Sequence, residues 1–124
     1  MNKMNLKLVR EEPQEDCPLN DLMAIKDALQ VLNGTWKLPI IIALLDGNKR
    51  FNEISKVVTG ISDRMLSREL KDLELNQLIK RTIFDTFPPT IEYSTTEHTK
   101  TLYNVIIALR DWGKIHRNAI TENF

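Results

Sequence analysis

The polar and apolar positions of the chain change period several times, and each change marks an element. Residues 1–17, MNKMNLKLVREEPQEDC, are polar without a period and read as an arm. Pro18 suits the first turn of a helix, where its missing N–H is not needed. Leu22, Ile25, Leu29 and Leu32 then recur at helical spacing, and Asn33-Gly34 supplies a stop. Thr35 is placed to cap a second helix, WKLPIIIALLDG, which ends at Asp46-Gly47. This segment is apolar nearly all round, as a helix at the centre of a core is. Its Pro39 is tolerated only in or near the first turn.

Phe51, Ile54 and Val58 predict a short third helix, and VTGIS reads as a turn in which Gly60 takes a positive φ. A fourth helix runs from Ser62 to about Leu75. The β-formers of LIKRTIFDTFPPTIEYSTT predict two strands, about 79–85 and 90–95, joined by a loop bearing Pro88-Pro89. Thr96 then caps a long last helix, about 96–120, whose stripe of Leu102, Val105, Ile106, Leu109 and Trp112 is expected to face inward. The order is helix, helix, short helix, turn, helix, hairpin, helix. The expected fold is mainly α with a small β-hairpin: a winged helix-turn-helix with a three-helix core, a wing and a long C-terminal helix. It occupies residues 18–124 after the arm of 1–17.

On the fourth helix, Arg64, Arg68 and Lys71 fall at i, i+4 and i+7, one stripe of a 3.6-residue helix bordered by Ser67. Met65, Leu66, Leu70 and Leu73 occupy the opposite side and are expected to pack on the second and third helices. A helix of this kind can lie in a major groove. Arg64 and Arg68 then pair with guanine, and Ser62 and Ser67 reach a base or phosphate. Asp63 can accept from a cytosine amine or simply favour the helix N-terminus. A charged outer face is also what any solvated surface helix has. The flanking elements weigh more than the stripe itself. Lys80 and Arg81 enter the hairpin, and its loop, DTFPPT, is stiffened by two prolines. A rigid loop that includes Thr86 can lie on the phosphate backbone or in the adjacent minor groove. Lys49 and Arg50 add positive charge where the first helix of such a motif crosses the backbone.

Charge refines this picture. The chain of 124 residues carries 17 Lys/Arg and 17 Asp/Glu, a formal net charge of zero. Basic domains are the usual nucleic-acid footprint, so neutrality alone points away from DNA. The distribution does not: residues 48–82 hold 8 Lys/Arg against 5 Asp/Glu. The composition, 42% hydrophobic and 27% charged, is that of a globular domain. No apolar run approaches a membrane span, and the N-terminus lacks the apolar centre of a secretory signal. One cysteine can form no internal disulfide, which fits a reducing cytoplasm.

Several motifs together carry a family resemblance. They are Cys17-Pro18, Gly34-Thr35-Trp36-Lys37, Arg50-Phe51-Asn52-Glu53-Ile54, Gly60-Ile61-Ser62, Met65-Leu66, and Leu70 with Leu73. The hairpin adds Pro88-Pro89 and Glu92-Tyr93-Ser94 with Thr96-Glu97 after one extra threonine, and Trp112-Gly113 follows. Over roughly residues 17 to 113 the chain resembles HxlR-type transcriptional regulators. The resemblance implies a cytoplasmic, homodimeric, bacterial-type winged-helix regulator that binds double-stranded DNA, usually near its own operator. Two-fold symmetry then predicts a near-palindromic site with recognition helices about 34 Å apart. The terminal helices supply the candidate dimer interface: Leu22 with Leu102, Tyr103, Ile106, Ile107 and Trp112. Tyr103 and Ile107 form a second apolar set beyond the inward stripe, which can meet a partner helix or pack on the arm. Pro39 departs from the family pattern, where a plain aliphatic residue is usual, so the start of the second helix can be shifted. Neutral net charge predicts weaker non-specific DNA binding than a basic relative has.

Reactive chemistry is confined to Cys17. The resemblance implies an oxidant or electrophile sensor near this position, because some family members sense through a cysteine there, and a small-molecule or oxidant signal is the matching partner. Glu15 and Asp16 beside it oppose a thiolate, and a structural cysteine is the alternative. His98 and His116 have no second ligand at metal spacing, and no phosphate loop or nucleophile motif occurs, so neither a cofactor nor an enzyme activity is expected. The competing class is a winged-helix protein-interaction module whose basic face meets an acidic partner without specific DNA binding.

Overall fold

A computed structural model describes residues 17–122, in two compact units divided between Asn33 and Gly34. Apart from Cys17, the expected arm lies outside the described residues. The first unit has a single 3-10 turn, Pro18–Asp21, where an α-helix was expected to begin. It continues as helix α1, Leu22–Val31.

In the second unit the order is α2 (Lys37–Asp46), α3 (Phe51–Val57), α4 (Asp63–Leu75), β1 (Ile79–Phe84), β2 (Thr90–Thr95), α5 (Glu97–Lys100) and α6 (Tyr103–Glu122). Helix α2 is the centre of the core, with Ile40, Ile41 and Leu44 almost fully buried. Ile54 of α3, Leu66, Leu70 and Leu73 of α4, and Leu78 and Ile79 at the entry to the hairpin complete the core. Burying each such side chain stabilises the fold by roughly 1.5–3 kcal/mol, and none of them carries a polar atom that needs a partner.

Two boundaries differ from the sequence-based expectation. Thr35 does not cap α2; Trp36 is the N-cap residue, with helical backbone angles and no side-chain hydrogen bond. Pro39 is thereby the third helical residue, so one of the first-turn N–H groups that a cap would satisfy is missing. Ile40 then makes the first helical bond, to the Trp36 carbonyl at 3.1 Å. Thr96 does cap a helix, accepting from the Thr99 N–H at 3.2 Å, but that helix is the single turn α5 and not the long one. The Thr96 hydroxyl donates to the Gln77 carbonyl at 2.8 Å, and the fully buried Thr99 hydroxyl donates to the Leu78 carbonyl. Both threonines tie α5 to the loop between α4 and β1. The Thr101 hydroxyl folds back on the His98 carbonyl, and the long helix starts afresh at Tyr103.

The hairpin is antiparallel from Ile79↔Thr95 to Phe84↔Thr90. One pairing went unpredicted: Lys49 exchanges both backbone hydrogen bonds with Tyr93, at 3.0 and 2.7 Å. A single residue ahead of α3 therefore acts as a third strand and fixes the wing to the helical core.

Helix α6 also corrects an expectation. Leu102, just before it, and Ile106 and Ile107 are half-buried. Val105, Leu109 and Trp112, expected to pack inward, are exposed, as is Tyr103. No residue of this 20-residue helix is buried. Its inward face is narrow because only its first turns lie near the core of this unit, and the apolar positions beyond them are exposed.

Candidate nucleic-acid interface

The site is built on α4, whose start is set by two local devices. Gly60 has φ +92°, a left-handed turn that a side chain would strain. A Cβ there would meet only the Trp36 ring at 3.9 Å, so conformation and not space requires the glycine. Ser62 is extended, and its Oγ accepts from the Met65 N–H at 3.1 Å, satisfying one free donor of the first turn. Asp63 adds negative charge to the same turn, favourable against the helix dipole.

Once capped, the helix sorts its residues by face. Leu66, Leu70 and Leu73 are buried and Met65 is half-buried, while Asp63, Arg64, Ser67, Arg68 and Lys71 are all exposed. The formal charge of α4 is slightly negative, since it also carries Glu69, Asp72 and Glu74. The structure cancels most of that. Lys37, on the first turn of α2, places Nζ 2.5 Å from Glu69 and 3.6 Å from Asp72. Its side chain and that of Glu69 are only 10% and 15% exposed, so this pair is screened far less than a surface one. Arg64, Arg68 and Lys71, in contrast, form no ion pair with any described residue. The outward face of α4 is cationic although the helix as a whole is not.

The hairpin divides its basic residues. Side chains alternate along β1, so Lys80 and Arg81 point to opposite faces. Arg81, paired with Tyr93 in the register, is on the face turned toward α4. Between them lies a cleft of about 250 Å³ lined by Ser67, Leu70, Lys71, Glu74, Arg81 and Tyr93. Burial pushes the Tyr93 phenol above its ordinary pKa, with Arg81 opposing and Glu74 reinforcing the shift. At the far end of the wing, the Thr86 hydroxyl donates to the Pro88 carbonyl at 2.7 Å and lies 3.4 Å from the Thr90 hydroxyl. Thr86 thus braces the loop. Phe87 beside it is fully exposed, and the loop from Asp85 to Pro89 carries no cation.

The two basic residues before α3 are placed differently from each other. Lys49 is tied down, its Nζ 3.6 Å from Asp46 and its side chain mostly covered. Arg50 is exposed, and its N–H donates to Glu53 at 2.7 Å, capping α3. Cys17 is a half-buried free thiol in the first unit, where Leu22 lies exposed on α1. Trp112 stacks on His116, ring centres 4.9 Å apart. Among the described residues no group of three acidic, histidine or cysteine side chains could hold a metal, and no helix is long and apolar enough to cross a membrane.

Sequence reasoning missed the Lys37–Glu69 pair and the place of Tyr93 in the cleft. A signal for the second existed: once the hairpin register is drawn, Arg81 and Tyr93 are cross-strand partners. The first needed the packing of α2 on α4, which no local pattern encodes.

Comparison with known proteins decides the family. The sequence model of the HxlR-like helix-turn-helix matches residues 31–121. The chain belongs to the HxlR-like family. The HTH-type transcriptional regulator YdeP of Bacillus subtilis is 38% identical over 108 residues, which span 87% of this chain and 80% of YdeP. The reduced form of the redox regulator HypR superposes with a TM-score of 0.74 at 32% identity, covering 80% of this chain and 98% of HypR. The reduced form of the transcriptional regulator YodB from B. subtilis gives a TM-score of 0.67 at 34% identity, covering 72% of this chain and 87% of YodB. This HxlR-like protein is a DNA-binding transcriptional regulator with a winged helix-turn-helix, and the relatives it matches are named as regulators, not enzymes.

Proposed function

We propose that this regulator binds a near-palindromic operator as a homodimer, with α4 in the major groove and the wing at the adjacent minor groove. The observation that carries the reading is the charge sorting on α4. Its acids Glu69 and Asp72 are engaged by Lys37, and Arg64, Arg68 and Lys71 are left outward and unpaired. Arg64 and Arg68 read base edges, and Ser67 and Lys71 meet phosphate. Ser62 and Asp63 are assigned to the start of the helix, where a phosphate or a base lies close. Arg50 and Lys80 add exposed charge toward the backbone. Lys49 acts less by its charge than by fixing the wing through Tyr93. The cation-free wing loop suits the minor groove better than a phosphate track, with Phe87 at its tip and Thr86 as its brace.

The homodimer is assigned to α6 and α1. Tyr103, Val105, Leu109, Trp112, Ile115 and Ile120 leave α6 with more exposed apolar surface than a helix in water retains without a partner. Leu102, Ile106 and Ile107 back this face, and Leu22 is the contribution assigned to α1. A second copy of the chain covers them under two-fold symmetry, which sets the two α4 helices one DNA turn apart. The site of action is the cytoplasm, where the DNA lies.

A redox signal is a second reading, favoured by the likeness to HypR, a redox regulator with reduced and oxidised forms, together with a half-buried free thiol at Cys17. Being single, this thiol would be oxidised to a disulfide with another chain or with a small thiol, the oxidant taking up the two electrons. Measuring operator binding before and after diamide, in the native protein and in Cys17→Ser, tests it; an identical response in both removes the sensor. The DNA reading itself is tested by duplex binding in the presence of non-specific competitor. A protein-interaction module would show no preferred duplex.

A further inference from the structure

We propose that the cleft between α4 and the wing is a seat for one DNA phosphate, held by Arg81, Lys71, Ser67 and the hydroxyl of Tyr93. This rests on the placement of α4 in a major groove and the wing at the neighbouring minor groove. On a duplex those two grooves are separated by a sugar–phosphate strand. A protein that puts one element in each must therefore meet that strand at the junction between the elements. In this chain the junction is not filled by packing. It is an open cleft of about 250 Å³, room for a phosphate group and several waters at roughly 30 Å³ each.

The lining fits an anion. Lys71 and Arg81 are set against the single carboxylate of Glu74, leaving a positive balance, and neither cation has an ion-pair partner among the described residues. The Arg81 fork is suited to two phosphate oxygens at once. Ser67 and Tyr93 add hydroxyl donors, and Leu70 gives the cleft an apolar wall. Tyr93 is held more firmly than an ordinary wing residue, since its backbone pairs with Arg81 on one side and with Lys49 on the other. A phenol is protonated at neutral pH, and burial raises the Tyr93 pKa further, so its hydroxyl is available as a donor. The Tyr93–Lys49 bridge thus gains a purpose: it sets the depth of the cleft. A free phosphate-bearing small molecule shares this chemistry, and the test separates the two sources.

The experiment uses the full chain, Tyr93→Phe and Arg81→Gln, with a duplex selected from a random pool by the unsubstituted protein. Single methylphosphonates, which remove one phosphate charge, are scanned along both strands. The unsubstituted protein is expected to lose about tenfold in affinity at one phosphate per half-site, the size of a charge-assisted hydrogen bond. Both variants bind the unmodified duplex more weakly and lose nothing further at that phosphate. Arg81→Gln also lowers the slope of log affinity on log salt by about one. Arg81 is exposed, so this variant folds even if Tyr93→Phe proves unstable. If all three proteins give the same methylphosphonate profile while binding the selected duplex specifically, the seat is overturned and the DNA reading stands. If no duplex is selected, both fall. If millimolar inorganic phosphate shifts the Tyr93 ring resonances without DNA and the profiles are unaltered by the variants, the cleft belongs to a free ligand and the seat is overturned.

Discussion

Lys37 on α2 reaches Glu69 on α4, Nζ to Oε1 at 2.5 Å, and one largely buried ion pair both joins two helices and strips negative charge from the recognition face. Glu69→Ala leaves Lys37 with Asp72 alone, 3.6 Å away. Loss of a charge-assisted hydrogen bond of this kind is expected to cost about 1–3 kcal/mol of stability. Lys37→Ala leaves two carboxylates together without a cation and is expected to cost more, about 3–5 kcal/mol. Lys37→Met with Glu69→Leu recovers most of the loss. Urea melts of the three proteins check the order, and a milder Lys37→Ala than Glu69→Ala contradicts it.

Ser62 separates capping from recognition. Ser62→Ala removes the acceptor for the Met65 N–H and is expected to cost about 1 kcal/mol of stability. Ser62→Asp keeps an acceptor and a favourable charge at the helix start, so stability holds. The same negative charge repels phosphate, and operator affinity falls. Thermal melts read the first effect and duplex titrations the second; an aspartate variant that binds as well as serine removes Ser62 from the interface.

On α6, Leu109 and Trp112 are 49% and 61% exposed. Replacing Leu109 by glutamate is expected to leave the fold within about 0.5 kcal/mol, as exposed substitutions do, while breaking the dimer. Sedimentation should show a monomer with an unchanged far-ultraviolet spectrum. A variant that still sediments as a dimer moves the interface off this face.

Phe87 offers the cleanest dissociation of binding from stability, because a fully exposed ring contributes nothing to the core. Phe87→Ala should melt at the native temperature and weaken binding to the selected duplex, most at a flexible pyrimidine–purine step beneath the wing. Unchanged affinity at every step places the wing tip away from the groove.

Much of this architecture was legible because it rests on local signals. The Ser62 cap, the Gly60 turn, the 3.6-residue sorting of α4 and the hairpin around Pro88-Pro89 are each written within one short continuous stretch. The errors share a cause. Capping is local, so Thr96 reads as the cap of a long helix, whereas Thr96 and Thr99 bond across to Gln77 and Leu78 and the helix they hold is only α5. Val105, Leu109 and Trp112 read as inward-facing because a stripe on one helix does not say what covers it. Of the interface, the exposed positions on α4 followed from periodicity, while the Lys37 pair and the Lys49–Tyr93 bridge join residues 32 and 44 apart in the chain, and the cleft needs α4 packed against the wing.

If the outward cations of α4 read a specific duplex, Arg68→Ala must weaken binding to that duplex above all. The variant is titrated against the duplex selected by the native chain and against an unrelated duplex, over a range of salt, with its melting temperature recorded alongside. The predicted result is a loss of about 1–3 kcal/mol at the selected duplex, a relaxed preference at one base position, and an unchanged melt. An equal loss on both duplexes would make Arg68 a phosphate contact. No loss on either, in a folded protein, would contradict the placement of α4 in the groove.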